Sequence, residues 1–114
     1  MLSLVSISGL LTSKIMNIAK EIKFDIEKPF VLSVRKTETV NIFAVGLLKD
    51  QVLAKHKTQL PALLIVLQGA ILFRINSEEI RLSALDTFQI PIDAEHDVTG
   101  MDEKNIFIIT KEKT

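Results

Sequence analysis

The chain has 114 residues, a length typical of one domain whose core is large enough to fold without cross-links. Its 14 basic and 14 acidic residues give a formal net charge of zero, which argues against a nucleic-acid partner, because the phosphate backbone selects a concentrated basic face. The absence of cysteine excludes disulfides, thiol catalysis and cysteine-bound zinc.

The chain opens with an apolar segment, MLSLVSISGLL, that is far shorter than the about 20 residues needed for a membrane-spanning helix. No basic residue precedes it, as a secretory signal would require, and the first is Lys14. Met16 opens the sequence MNIAKEIKF, which favours translation from Met16. The alternative is a short apolar arm that packs on the body of the protein or on a second copy. We expect a cytoplasmic protein with no membrane partner.

A short helix is predicted after this segment. Four residues recur at helical spacing: Ile15, Ile18, Ala19 and Ile22. Ser13 precedes them as the expected N-cap. From Phe24 the pattern changes to short apolar or alternating segments, so we divide the chain into an N-terminal arm and helix at 1–23 and a β domain at 24–114.

Turn-forming residues divide the β domain into short strand-like segments. The predicted strands lie near residues 30–35, 39–47, 51–57, 62–68, 70–76, 79–83, 86–90, 95–99 and 104–111. Short strands that recur about every ten residues are typical of a sandwich or a barrel. The sequence therefore predicts a single all-β domain.

Two predicted strands contain runs that are apolar on both faces, LLIVL at 63–67 and IFII at 106–109. A strand with one face in water alternates apolar and polar residues, so we expect both runs to be covered on two sides. The barrel interior covers one side, and either a second sheet of the same chain or a second subunit covers the other. A homodimer is our expectation, and packing within one chain is the alternative.

The chain has two histidines, His56 and His96, and each belongs to a regularly spaced group of residues. The first group is Asp50, His56, Thr58, Ala62 and Gly69. The second group is Leu85, Pro91, Asp93, His96 and Gly100. These spacings resemble the two motifs of the cupin family, Gly-x5-His-x-His-x3–4-Glu-x6-Gly and Gly-x5-Pro-x-Gly-x2-His-x3-Asn.

Four of the ten motif positions keep the cupin residue: His56, Gly69, Pro91 and His96. The resemblance covers residues 46–111 and implies an antiparallel, jelly-roll-like cupin β-barrel with the histidines facing its interior. It also implies an incomplete metal site, since Thr58 and Ala62 stand where metal-binding cupins have His and Glu. Asp93 occupies a turn-glycine position beside His96, and Glu95 should face away from it.

Three interpretations of the histidines stay open. In the first, a pocket for a small organic ligand is lined by His56, Thr58, Ala62, Phe88 and His96. In the second, His56 and His96 bind a divalent metal with a third ligand from elsewhere, in an isomerase or dioxygenase. In the third, they are structural and satisfied by hydrogen bonds. We favour a small-molecule binding protein with no certain cofactor.

Overall fold

The protein is represented by a computed structural model that describes residues 15–113, apart from the side chains of Lys55 and His56. The expected cap at Ser13 and the apolar arm before it lie outside the described residues. Within the described part, no helix is both long and apolar enough to cross a membrane.

One helical turn and nine strands make up the described chain. They are α1 (Ile18–Glu21), β1 (Phe30–Lys36), β2 (Val40–Leu48), β3 (Val52–His56), β4 (Ala62–Gln68), β5 (Ala70–Ile75), β6 (Glu78–Ser83), β7 (Thr87–Ile90), β8 (His96–Gly100) and β9 (Lys104–Glu112). Every predicted strand is confirmed, with each end within one residue of its predicted position. Local turn chemistry and alternation were therefore sufficient to locate the strands.

The helix is shorter than its apolar spacing predicts. Asn17 is the N-cap, and its Oδ1 accepts a hydrogen bond from the Lys20 amide at 3.0 Å. At Ile22 the backbone returns to an extended conformation, with ψ of 124°. Ile22 is thereby buried against the sheet instead of continuing a second helical turn.

The strands form two antiparallel sheets. The five-stranded sheet has the order β1-β2-β9-β4-β7, and the four-stranded sheet has the order β3-β8-β5-β6. Side chains from the inner faces of both sheets form one core cluster: Val45, Leu47, Ala62, Leu64, Val66, Ile71, Phe73, Ile75, Leu82, Ile90, Ala94, Val98, Phe107 and Ile109. This arrangement is the predicted antiparallel barrel, in which the inner faces of the two sheets pack against each other.

The outer face of the five-stranded sheet carries a second, smaller apolar cluster. Its buried members are Ile22, Ala44 and Ile106, with Ile18, Phe24, Phe30, Leu32 and Val34 packed against them. The chain's own N-terminal segment thus covers part of the apolar run at 106–109. Farther along the same face, Ile65 and Ile108 are only half-buried and Leu67 is 39% exposed.

A buried asparagine connects the loops at one end of the barrel. Asn105 is fully buried, and its Oδ1 accepts from the amides of Ala70 and Asp102, each at 3.0 Å. Its Nδ2 donates to the carbonyls of Leu47 at 3.0 Å and Asp102 at 2.9 Å. All four hydrogen-bonding positions of the amide are therefore used. Gly69 packs beside it at φ of 75°, where a Cβ would lie 2.6 Å from the Lys104 carbonyl oxygen.

The backbone conformation at the turns agrees with the cupin-like spacing of the two motifs. At the four positions that the cupin resemblance assigns to glycine, φ is positive: 69° at Asp50, 75° at Gly69, 75° at Leu85 and 61° at Asp93. Residues other than glycine rarely adopt this conformation. The turns therefore have a glycine-type geometry even at the three of these positions where this sequence has Asp or Leu.

Candidate functional site

His96 lies at the opposite end of the barrel from Asn105, in the first position of β8. In the four-stranded sheet its backbone pairs with His56 of β3 on one side and with Ile75 of β5 on the other. The two histidines that sequence spacing singled out are therefore cross-strand neighbours in the backbone. We call this part of the molecule the His96 end of the barrel.

The His96 ring is part of an aromatic cluster in the core. It is 2% exposed and stacks on Phe73, with ring centroids 5.1 Å apart and an interplanar angle of 17°. Phe73 also contacts Phe88, at a centroid distance of 4.9 Å. His96 Nδ1 lies 3.0 Å from the Ala94 carbonyl oxygen, and because a carbonyl only accepts, Nδ1 carries the hydrogen. This bond fixes the orientation of the ring.

The other predicted pocket residues lie close to the same end. Thr58 is 8% exposed, and its hydroxyl bonds within its own turn, accepting from the Leu60 amide at 3.1 Å. The Thr58 carbonyl accepts from the Asp93 amide at 2.8 Å, which joins the two loops at this end. Ala62 is 7% exposed and belongs to the core cluster.

The residues present do not fit the three-ligand metal site of a catalytic cupin. Ala62 has no donor atom, and the Thr58 hydroxyl is engaged by Leu60. Among the described residues, no group of three or more His, Cys, Asp or Glu side chains is arranged to hold a metal ion. Two imidazoles fall short of the usual three protein ligands.

A groove of about 510 Å³ opens beside His96, at the β5–β6 turn and the start of β8. We call it the His96 groove, and its lining residues are Arg74, Ile75, Asn76, Ser77, Glu78, Glu79, Glu95, His96 and Asp97. Arg74 Nε forms an ion pair with Glu79 Oε2 at 3.2 Å. Glu95 is exposed whereas His96 is buried, as strand alternation predicts.

Asp97 gives the His96 groove its most unusual chemical feature. Its Oδ1 is buried, and within the described part of the chain it has no hydrogen-bond partner. The only other buried side-chain atom of this kind in that part is Thr99 Oγ1, two residues along the same strand. Buried polar atoms normally have partners, so an unpaired carboxylate oxygen on a residue that lines a groove calls for an explanation.

Sequence patterns did not single out Asp97 or Phe73. Asp97 is next to His96 in a strand, so alternation predicts only that it faces away from the core. Its position beside Arg74 follows from the pairing of β5 with β8. Phe73 belongs to an ordinary alternating strand, and its contact with His96 follows from the same pairing of β5 with β8.

No protein-family model matches the chain, and no curated protein sequence is detectably similar to it. Several solved structures share its architecture. A conserved protein with a double-stranded β-helix domain from Klebsiella pneumoniae superposes with a TM-score of 0.80 at 17% identity, covering 87% of this chain and 89% of that one. A cupin superfamily protein from Desulfitobacterium hafniense gives 0.78 at 14% identity, with 87% and 90% covered.

An RmlC-like cupin protein from Desulfovibrio desulfuricans gives a TM-score of 0.79 at 19% identity, covering 87% of this chain and 95% of that one. Such likeness at low identity shows the fold. The chain has the cupin fold, the double-stranded β-helix, and the resemblance in its motif spacing is confirmed at that level.

Proposed function

We propose that this protein is a cupin-fold binding module that holds a small organic ligand in the His96 groove, using protein groups alone. The observation that carries the proposal concerns Asp97, which lines the groove together with His96 and whose buried Oδ1 has no hydrogen-bond partner among the described residues. The groove volume of about 510 Å³ falls within the range of sites for small molecules. The ligand we infer therefore carries a hydrogen-bond donor that pairs with Asp97.

The buried Asp97 acceptor carries an energetic cost in the unliganded protein. Leaving such a group without a donor costs about 1–3 kcal/mol. Arg74 lies opposite Asp97 on the neighbouring strand, yet its ion pair is with Glu79. A ligand N–H or O–H at Asp97 Oδ1 would remove this cost on binding. Proteins commonly retain such local penalties at binding sites.

The pocket predicted from the sequence and the His96 groove have one residue in common, His96. Of the other predicted residues, Thr58, Ala62 and Phe88 belong to the barrel interior or its loops, and His56 is the last residue of β3. Their role as pocket residues stays a prediction. The metal-dependent isomerase or dioxygenase alternative lacks a third ligand among the described residues.

The homodimer and the cytoplasmic location also stay proposals. The half-buried Ile65 and Ile108 on the outer sheet face support the dimer.

The proposal predicts that replacing Asp97 by valine abolishes ligand binding. A thermal-shift screen of sugars, amines, organic acids and nucleotides should first identify a compound that raises the melting temperature of the wild-type protein. A ligand at a hundredfold its dissociation constant adds about 2.7 kcal/mol of stability. For a domain of this size the shift is on the order of 10 °C. In Asp97→Val we expect the same compound to give no shift.

Thr99→Val is the matched control. Thr99 lies on the same strand and also has a buried oxygen without a partner among the described residues, but it does not line the groove. We expect it to keep the full ligand-induced shift, while its unliganded stability stays equal or rises by up to about 1 kcal/mol. If Asp97→Val binds as the wild type does, or if no compound shifts the wild type, the proposed function is wrong.

A further inference from the structure

A second groove, of about 400 Å³, lies on the inner face of the β1–β2 hairpin, away from the lining of the His96 groove. It is lined by Val31, Ser33, Lys36, Asn41 and Phe43, and we call it the β1–β2 groove. We propose that it binds a small organic carboxylate with an apolar body. This inference is independent of the proposed function, because the two grooves share no lining residue.

The strand register brings a second lysine to this groove. Asn41 of β2 pairs with Lys36 of β1 on one side and with Lys111 of β9 on the other. Directly opposite residues in antiparallel strands share a face of the sheet. Lys111 Nζ lies over the Phe43 ring, 5.5 Å from its centroid. The ammonium group of Lys111 is therefore held against a residue that lines the groove.

The polar side chains of the groove favour an anion. Lys36 and Lys111 supply two positive charges, and Ser33 and Asn41 supply hydrogen-bond donors. None of the five lining residues is a carboxylate. The nearest acidic residue along β9 is Glu112, which is exposed and alternates with Lys111 to the other face of the sheet. The local charge is therefore complementary to a carboxylate.

The apolar side chains of the groove indicate the chemistry of the ligand beyond its carboxylate. Val31 is 55% exposed, although it belongs to a strand. Phe43 is only partly buried and packs against the edge of the main core. A ligand with an aromatic or aliphatic body would cover both side chains while its carboxylate meets the lysines. This combination of apolar surface with a few directed polar groups is typical of small-molecule sites.

Benzoate and its neutral analogue benzamide test the inference by ¹H–¹⁵N correlation spectroscopy at constant ionic strength. We expect saturable shifts of the Ser33, Asn41 and Phe43 amides with benzoate, and at least about fivefold weaker binding of benzamide, since a charge-assisted pair is lost. Lys36→Gln and Lys111→Gln should each weaken benzoate binding at least about threefold. The same spectra report whether each variant is folded.

Lys104→Gln provides the matched control on the same strand. Lys104 Nζ lies 5.5 Å from the Phe24 ring, so it makes the same kind of contact on the other face of the sheet. We expect this variant to bind benzoate as the wild type does. Equal affinity for benzoate and benzamide, equal loss in all three variants, or shifts that do not saturate at the β1–β2 groove would each overturn the inference. None of these results would affect the Asp97 experiment.

Discussion

Replacing Asn105 by alanine is expected to lower the free energy of unfolding by roughly 3–5 kcal/mol, because it leaves buried backbone groups unpaired. The Ala70 amide and the Leu47 carbonyl lose their Asn105 partners, and both residues are at least 98% buried. A loss of this size is a large fraction of the 5–15 kcal/mol typical of a domain. Urea unfolding of the two proteins measures the difference directly.

Asn17→Ala is the matched control for this prediction. The Asn17 side chain accepts a hydrogen bond from the exposed Lys20 amide at the helix N-terminus. Its removal should cost about 1 kcal/mol, as for other helix caps. Asn105→Asp keeps the shape of the side chain but replaces the two Nδ2 donors by an acceptor, so it should also be strongly destabilising. An Asn105→Ala loss no larger than that of Asn17→Ala would contradict the structural role of Asn105.

Phe73→Ala is the second substitution with a large expected effect, a loss of about 3–5 kcal/mol. Phe73 is fully buried in the main core and contacts both His96 and Phe88. Truncation removes these contacts and leaves a cavity at the His96 end. The His96 imidazole proton resonances should also move, because they lose the stacked ring. Urea unfolding and proton NMR measure the two effects.

Phe88→Ala is the comparison for Phe73→Ala. Phe88 belongs to the same aromatic contact but is only half-buried, so it should cost about half as much. It should leave the His96 resonances closer to their wild-type positions. If Phe73→Ala costs under about 1.5 kcal/mol with unchanged His96 resonances, Phe73 does not support the His96 ring as the structure indicates.

The strands were predictable because the signals that define them are local. Alternation and turn residues fixed every strand to within one residue, and the motif spacing indicated the barrel. The helix was less predictable because four apolar residues at helical spacing do not show where a cap interrupts the pattern. The helix begins after its N-cap, Asn17, and ends at Ile22, which is buried against the sheet.

The chemistry of the sites was harder to predict from the sequence, because it depends on contacts between residues far apart in the chain. Asn105 bonds to residues 35 and 58 positions away, so nothing near it in sequence marks its role. Lys111 reaches the β1–β2 groove only through the pairing of β2 with β9. Asp97 stands out only once its buried oxygen is seen to lack a partner. The histidines, by contrast, were identified by rarity and spacing, and the register places His56 opposite His96.

The proposal that protein groups alone bind the ligand has a direct test. The ligand-induced rise in melting temperature is measured on wild-type protein before and after exhaustive removal of metals by a chelator. We expect the same rise in both samples, because Asp97 and the other groove side chains bind the ligand themselves. A rise that disappears with the metals and returns when zinc, iron or manganese is restored would mean that protein groups alone do not bind the ligand, and would support a metal-dependent site at His56 and His96.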